Sequence, residues 1–258
     1  MKIVVLLKEV PDTYGERELS LETGLAVRAG GENVLDEICE RALEVALSHA
    51  DANDGVEVTL LAMSPEGATA SVRKGLAMGA DAATHIVDDG LAGADLGLTA
   101  EVLAAALRAE GFDLVLAGNQ STDGMGGMVP VWLAELLGVP AVTNLSEVTI
   151  GADGVSGARV SDGATQRVTA PLPAVASITE ALPDARFPSF KGIMAAKKKP
   201  IEVKSLGDYG IDANDLGPSR AIMLSLAERP PRTVGVKIVD EGDGAQRLAA
   251  FLAENKLI

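Results

Sequence analysis

Aliphatic runs alternate with amphipathic stretches through the first 140 residues of the chain. The unbroken run KIVVLL at 2–7 predicts a buried strand, because a strand covered on both faces has no polar face to alternate with. Further aliphatic runs predict strands at 56–63, 82–87 and 112–118. Helical spacing between these runs predicts four helices: one from an N-cap at Asn33 to about Ala50, one over 68–78, one over 98–109, and one after 118 that extends as far as Leu137. Strands that alternate with helices predict a parallel sheet with right-handed crossovers.

The pattern changes after Pro140, where short strands separated by glycine turns predict an antiparallel addition. A buried strand at 172–179 and a loop at 181–200 follow. From Ile201 onward the chain predicts an arm, which ends in a helix capped by Asp243 with an apolar stripe of Leu248, Phe251 and Leu252. The predicted fold is therefore a doubly wound α/β domain over 1–200, of the nucleotide-binding kind, with a small antiparallel β addition and a C-terminal arm over 201–258.

Composition excludes several classes of function. Of 258 residues 47% are hydrophobic, so the chain can bury a sizeable core, and the formal net charge of -15 argues against binding to nucleic acids or anionic membranes. One cysteine and two histidines argue against disulfides and zinc sites. The sequence has neither a signal peptide nor an apolar run of membrane-spanning length, so we expect a cytoplasmic protein without membrane insertion.

The stretch AGNQSTDGMGGMV at 117–129 lies between a predicted strand and a predicted helix. Ligands of open α/β sheets bind beyond the carboxyl ends of the strands, and N–H groups at a helix start attract phosphate. The residues alone leave two interpretations open: an anion or nucleotide site, and a plain tight turn. No catalytic motif accompanies the stretch, and Asp123, His85 and Cys39 are interpreted as a turn former, a core histidine and a packing residue. Redox chemistry would therefore need an external cofactor.

A second unusual stretch, RFPSFKGIMAAKKK at 186–199, concentrates basic charge beside two phenylalanines in an acidic chain. A solvated charge run and a docking loop for an acidic partner explain it about equally well.

Taken together, these motifs resemble the beta subunits of electron transfer flavoproteins. The resemblance extends almost end to end, through VVLLKEVPDT, NVLDEICERALEVAL, LAMGAD, AGNQSTDGMGG and ARFPSFKGIMAAKKKPIEV. It implies an electron carrier rather than an enzyme, in a heterodimer with an alpha subunit that holds FAD. It also implies a structural AMP in the beta subunit. Electrons would come from acyl-CoA and related dehydrogenases in fatty acid oxidation and pass to a quinone oxidoreductase.

The resemblance also implies roles for individual residues. The AMP contacts would be Leu6, Asn33, Val34, Leu35, Asp36, Met63, Gly118, Asn119, Gln120, Ser121, Thr122, Asp123, Gly124, Met125, Gly126, Gly127, Met128 and Val129. Tyr14 and Leu35 would face the flavin. The recognition loop, 178–200, would dock dehydrogenases through Arg186, Phe187, Phe190, Lys191, Ile193, Met194, Lys197, Lys198 and Lys199, with Phe190 as the apolar anchor. Residues 201–258 would embrace the alpha subunit.

Two other functions remain open at this point. In an NADH-dependent, electron-bifurcating flavoprotein, a second FAD would replace AMP. A free-standing nucleotide-sensing α/β protein would bind its nucleotide without a flavin or an alpha subunit.

Overall fold

The structure is a computed structural model that describes residues 1–15, 17–28, 31–215, 217–218, 220–232 and 234–258. It contains two compact units, Met1–Leu224 and Ser225–Ile258. The strands of the first unit are β1 Lys2–Leu7, β2 Glu9–Pro11, β3 Asn33–Leu35, β4 Glu57–Met63, β5 Ala82–Ile86, β6 Leu114–Gly118, β7 Ala141–Leu145, β8 Glu147–Ile150, β9 Gly154–Ser161, β10 Ala164–Pro171, β11 Ala174–Ile178 and β12 Ile201–Lys204. Its α-helices are α1 Glu37–Ala52, α2 Thr69–Met78, α3 Leu96–Glu110, α4 Val129–Leu137 and α5 Phe190–Ala196.

The central sheet has seven strands in the order β12-β5-β4-β1-β6-β11-β7, and every pairing in it is parallel. The chain first builds outward from β1 to β4 and β5, and then returns to place β6 on the other side of β1. This reversal makes the gap between β1 and β6 the switch point of the sheet, where open α/β folds bind ligands.

Strand β1 shows why the sheet is covered on both faces. Ile3, Val5 and Leu7 belong to the apolar core that includes buried residues of α1 and α2, whereas Val4 and Leu6 belong to the core that includes buried residues of α3 and α4. Successive side chains of a strand point to opposite faces, so an all-aliphatic strand supplies both cores. The predicted doubly wound α/β fold is thus confirmed.

The first helix begins later than the sequence pattern predicts. Asn33 is not its N-cap, because Asn33–Leu35 forms β3 and pairs antiparallel with β2. Asp36 is the N-cap instead, and its carbonyl oxygen accepts from the N–H groups of Cys39 at 2.9 Å and Glu40 at 3.1 Å. Both residues suit a cap, and pairing with β2 decides between them.

Three further elements differ from the prediction. Residues 141–145, expected in the antiparallel addition, form the parallel edge strand β7, so only β8, β9 and β10 make the antiparallel sheet. Within the predicted loop 181–200, residues 190–196 form α5, with Ser189 as its N-cap. The start of the predicted arm forms β12, which extends the central sheet beside β5. A short edge strand carries little hydrophobic periodicity, and tertiary pairing defines it.

The second unit contains helix α6, Gly244–Glu254. Asp243 is its N-cap residue, as predicted, although the carboxylate makes no capping hydrogen bond. Leu248 is 52% exposed and Phe251 is 37% exposed, so the apolar stripe is not buried within this unit.

Candidate functional site

The residues predicted to surround a nucleotide converge at the switch point of the central sheet. Leu6, Met63 and Gly118 lie at the carboxyl ends of β1, β4 and β6, which are neighbours in the sheet. Gly118 lets helix α1 approach closely, since a Cβ atom at this position would lie 2.5 Å from Cγ2 of Ile38. The crevice above these ends is lined on one side by residues 119–128, which we call the crevice loop.

A carboxylate at the centre of the crevice loop is held by two cations. The Nζ atom of Lys8 lies 2.7 Å from Oδ1 of Asp123, and Nη2 of Arg28 lies 2.8 Å from Oδ2. Lys8 also donates to the Ser121 hydroxyl at 3.2 Å, and the Gly124 N–H donates to Asp123 Oδ1 at 2.6 Å. Burial acts to raise the pKa of Asp123, but Lys8, Ser121 and Arg28 outweigh it and hold that pKa well below its usual range. Asp123 therefore stays ionised and is not a proton donor near neutral pH.

Asp36 connects the crevice loop to the start of α1. Its Oδ2 atom accepts from the Thr122 N–H at 2.9 Å, and its own N–H donates to the Lys8 carbonyl oxygen at 3.0 Å. The residue is 1% exposed, and burial raises the pKa of its carboxyl. Its Oδ1 atom is buried and accepts no hydrogen bond from the residues that the structure describes. This atom is an acceptor that a ligand donor could satisfy.

The second half of the crevice loop presents backbone donors. Met125 and Gly127 have positive φ angles of 50° and 64°, which turn the chain sharply before α4. Within the described part of the chain, the N–H groups of Gly126, Gly127 and Met128 have no acceptor, and all three residues are exposed. Free N–H groups before a helix form a site suited to an anion.

The remaining residues predicted to contact a nucleotide differ in their hydrogen bonds and in their exposure. Asn33 donates through its side chain to the Arg28 carbonyl oxygen at 3.0 Å and so fixes the segment that carries that cation. The Asn119 N–H donates to the Ile178 carbonyl oxygen at 2.9 Å, while Gln120 is exposed. Val34, in the middle of β3, and Val129, the first residue of α4, are half-buried.

Sequence reasoning missed three cations at this site. Lys8 directly follows the central strand β1, and a polar residue in that position is a signal that could have identified it. Arg28 and Arg17 come from the long connection between β2 and β3, where no periodicity points to the crevice. Arg17 donates to the carbonyl oxygen and the hydroxyl of Thr122.

The two residues expected to face a flavin differ in exposure. Tyr14 is 97% exposed, and its ring is free to meet another molecule. Leu35 is only 3% exposed and packs in the apolar core beside Ile38 and Cys39. Of the two, only Tyr14 has a side chain open to contact from outside the chain.

Other reactive side chains are buried. Burial raises the pKa of the Cys39 thiol to about 12, so the thiolate is not present near neutral pH. His85 is fully buried in β5 with Nε2 2.9 Å from the Ser64 hydroxyl, and burial lowers its pKa. Both observations agree with the interpretation of these residues as core groups.

The basic stretch predicted to dock a partner presents apolar side chains to solvent. We call residues 182–199 the aromatic segment. Phe187 is 95% exposed and Phe190 82% exposed, and Ile193 and Met194 are about half exposed. Lys191, Lys197 and Lys198 are exposed as well, whereas Arg186 and Lys199 contact other parts of the chain. Four apolar side chains framed by lysines form a surface suited to a partner protein.

Comparison with known proteins agrees with the resemblance seen in the sequence motifs. A model of the electron transfer flavoprotein domain matches residues 23–208. The chain is 45% identical over 263 residues to the electron transfer flavoprotein subunit beta of Mycobacterium bovis, with 99% of each chain covered. It is 32% identical over 264 residues to the protein of the same name from Bacillus subtilis, with 100% of each covered. The Megasphaera elsdenii subunit beta is also 32% identical, over 98% of this chain and 97% of the relative. Among the described residues, no helix has the length and apolar character that crossing a membrane requires.

Proposed function

Because the chain belongs to the electron transfer flavoprotein family, as a beta subunit, we propose that it holds a structural AMP in the crevice and docks dehydrogenases through the aromatic segment. The subunit acts with an alpha subunit, and it is a carrier component rather than a catalyst. The observation that carries the proposal is the crevice itself, at the switch point of the sheet. Its loop has free N–H groups and a carboxylate held by two cations, and Asp36 beside it has a buried oxygen without a partner among the described residues.

The chemistry of the crevice fits an adenylate. Lys8, Arg28 and the N–H groups of Gly126 and Gly127 are donors suited to a phosphate. The unpartnered Oδ1 atom of Asp36 is suited to an N–H or O–H donor of the nucleoside. No side chain in this set is placed to attack the phosphate, so we propose that the nucleotide fills and stabilises the crevice without reacting.

FAD is proposed to be held mainly by the alpha subunit, where it supplies the redox chemistry when bound. The contribution of this chain would be to cover that flavin and exclude water. Tyr14, which is exposed next to the segment carrying Arg17 and Arg28, is the proposed contact.

The proposed electron donors are acyl-CoA and related dehydrogenases, and the proposed acceptor is a quinone oxidoreductase. Phe190 would anchor the donor, because an exposed aromatic ring beside basic side chains has the features of a binding hot spot. The exposed lysines of the aromatic segment would speed encounter with an acidic surface, which the chain's overall charge of -15 would otherwise repel.

Mass measurement of the bound nucleotides tests the cofactor assignment. The chain is co-expressed with its alpha subunit, the purified heterodimer is denatured, and the released nucleotides are identified and quantified. One FAD and one AMP per heterodimer are expected. Two FAD molecules and no AMP would contradict the proposal and favour the electron-bifurcating alternative.

The docking role is tested by Phe190→Ala in the heterodimer. Truncation of an aromatic hot spot costs about 2 kcal/mol, so the second-order rate of flavin reduction by an acyl-CoA dehydrogenase should fall about 30-fold. Val160→Ala, which shortens an apolar side chain that is 67% exposed on β9, is the matched control and should leave the rate unchanged. An unaltered rate in Phe190→Ala would remove the docking proposal.

A further inference from the structure

The beginning of the aromatic segment is fixed to helix α1. Arg41 donates to the Leu182 carbonyl oxygen at 2.5 Å and pairs with the Asp184 carboxylate. Two residues later Arg186 forms a fork with Glu44, with Nε 2.7 Å from Oε2 and Nη2 2.8 Å from Oε1. The Arg186 N–H also donates to Glu44 Oε2 at 2.9 Å, so both the backbone and the side chain of Arg186 are held. Such bidentate pairs fix geometry as well as charge.

The Glu44 carboxylate is well suited to this role. Its side chain is 16% exposed, and it belongs to α1 rather than to the aromatic segment. Burial acts to raise the pKa of Glu44, but hydrogen bonds from Arg186 and Ser48 outweigh it and lower that pKa. The carboxylate is therefore ionised throughout the physiological range. Asp51, two turns further along the same face of α1, adds a second contact at 2.8 Å to Nη1 of Arg186.

The end of the aromatic segment is fixed to helix α2 by reciprocal capping. Lys199 Nζ donates to the carbonyl oxygens of Leu76 at 3.2 Å, Gly79 at 3.0 Å and Ala80 at 2.6 Å. These carbonyls belong to the last turn of α2 and the residues after it, a turn with no basic residue of its own, where a cation is favoured. In return Arg73 of α2 donates to the Lys199 carbonyl oxygen at 2.7 Å, beyond the end of α5.

The two anchors leave the apolar side chains between them free. Phe187 and Phe190 are exposed although the chain on both sides of them is tied down. Within the described residues, the amino groups of Lys191, Lys197 and Lys198 make no hydrogen bond or ion pair. The basic residues of the segment thus separate into two groups, one bound within the chain and one open to a partner.

We infer that Arg186 and Lys199 are positioning residues: they hold the aromatic segment in its docking conformation and do not themselves contact the dehydrogenase. The inference rests on the proposed docking function. Its physical basis is preorganisation, because a segment already fixed before binding loses less conformational entropy on binding. Loss of either anchor should weaken docking without changing electron transfer inside the docked complex.

A double-mutant cycle on Glu44 and Arg186 tests the first anchor. The heterodimers Glu44→Ala, Arg186→Ala and the double variant are titrated with an acyl-CoA dehydrogenase that reduces the wild type. All three should show the same increase in KM for the dehydrogenase, about three- to tenfold if one or two ordered side chains are released, with kcat unchanged. Glu135→Ala, an exposed carboxylate on α4, is the control. Additive effects, or an effect of Arg186→Ala larger than that of a Glu44→Ala/Asp51→Ala variant, which removes both carboxylates, would show that Arg186 contacts the partner and would overturn the inference.

The neighbouring lysines test the second anchor. Lys199→Gln should raise KM equally at low and high ionic strength, because it frees the end of the segment. Lys198→Gln should raise KM only at low ionic strength, because an exposed charge acts through screened attraction. Equal salt dependence of the two variants would contradict the positioning role of Lys199.

Phe190→Ala, measured in the same series, distinguishes failure of the docking function from failure of the positioning inference. If Phe190→Ala leaves KM unchanged, the docking function itself fails. If Phe190→Ala raises KM while Glu44→Ala and Lys199→Gln do not, docking stands and only the positioning inference fails. Nucleotide content and melting temperature of each variant establish that the heterodimer is intact.

Discussion

The crevice loop and the aromatic segment are both held by helix α1, but their polar groups are used in opposite ways. In the crevice, Asp36 at the start of α1 accepts from the Thr122 N–H, and other backbone N–H groups of the loop remain free among the described residues. In the aromatic segment, Arg41 and Glu44 from the same helix occupy the polar groups and leave apolar rings exposed. One region is therefore suited to a small anion and the other to a protein surface.

A basic stretch in the sequence therefore does not identify which basic side chains are free to bind a ligand or a partner. Arg186 and Lys199 lie in a basic stretch, yet both are engaged inside the chain. Lys8 and Arg28 lie outside any basic stretch, yet they hold the Asp123 carboxylate of the crevice loop. Which cation is free for a ligand depends on the intramolecular acceptors nearby.

The largest effect is expected from loss of one of the two cations that hold Asp123 in the crevice loop. Lys8→Met removes a donor to the proposed phosphate and leaves Asp123 with one fewer partner. Hydrogen bonds to charged groups contribute about 1.5–3 kcal/mol, so retained AMP should fall about ten- to hundredfold while KM for the dehydrogenase stays near that of the wild type. The measurement is AMP released per purified heterodimer. Lys2→Met, at the amino end of the same strand, is the control. Full AMP content in Lys8→Met would exclude Lys8 from the site.

Gly192→Ala is expected to have the opposite outcome to Lys8→Met: it should affect docking and leave AMP binding intact. A Cβ atom at Gly192 would lie 2.3 Å from the Ala77 carbonyl oxygen, a backbone atom that cannot rotate away, so α5 must move off α2. Overpacking of this kind costs about 1–3 kcal/mol. We expect a lower melting temperature and a raised KM for the dehydrogenase, with AMP content unchanged. Gly67→Ala, where the added methyl group meets no atom within 4 Å, is the control. Loss of AMP in Gly192→Ala would show that the two regions are not independent.

Much of this organisation could be predicted from the sequence. The aliphatic runs identified the buried parallel strands, since an all-apolar strand such as 2–7 has few alternatives, and the glycine-rich stretch after β6 identified the switch point. The N-cap was misassigned because Asn33 and Asp36 have equal capping ability, and pairing of β3 with β2 is a long-range event. Helix α5 was hidden among prolines and lysines, because seven residues give too little periodicity and its stability comes from contacts with α2.

The cations of the crevice show a further limit. Arg28 reaches Asp123 across a sequence separation of 95 residues. Local patterns carry no information on such a contact, whereas Lys8 could be found because it follows a central strand. The resemblance to the family indicated the crevice but not which side chains hold the loop in place.

A smaller effect is expected from Gly118→Ala, which tests whether AMP binding in the crevice depends on the close approach of α1 to this glycine. The new methyl group would meet Cγ2 of Ile38 at 2.5 Å and Cγ1 at 2.8 Å. These are side-chain atoms that can shift, so we expect the lower end of the overpacking range, about 1 kcal/mol, with partial loss of AMP. Adding Ile38→Ala removes these two atoms, leaving only Cβ of residue 38 at 3.1 Å, and should restore AMP content. If the double variant binds no better than Gly118→Ala alone, close approach of α1 is not the reason for the glycine.

The smallest effect is expected from Asp36→Asn, and burial of the Asp36 carboxyl determines whether the melting temperature rises or falls. Because the pKa of Asp36 is raised in the folded chain, the native state binds its proton more tightly than the unfolded state does. Stability associated with this group is therefore present at low pH and lost as the pH rises through the folded value. An asparagine keeps an oxygen acceptor for the Thr122 N–H and never carries the buried charge. An asparagine that keeps its oxygen on the Thr122 N–H places an amide nitrogen where the nucleoside donor is proposed to bind, so both heterodimers are compared after AMP is removed. The melting temperature of Asp36→Asn should then exceed that of the wild-type heterodimer slightly at pH 7, and the difference should shrink as the pH is lowered toward 4. Asp36→Ala, which removes the acceptor as well, should be less stable than the wild type at pH 7. A destabilised asparagine variant at pH 7 would instead assign the Asp36 charge a favourable role beside Lys8, and both regions of the molecule would then depend on ionised carboxylates of α1 and its cap.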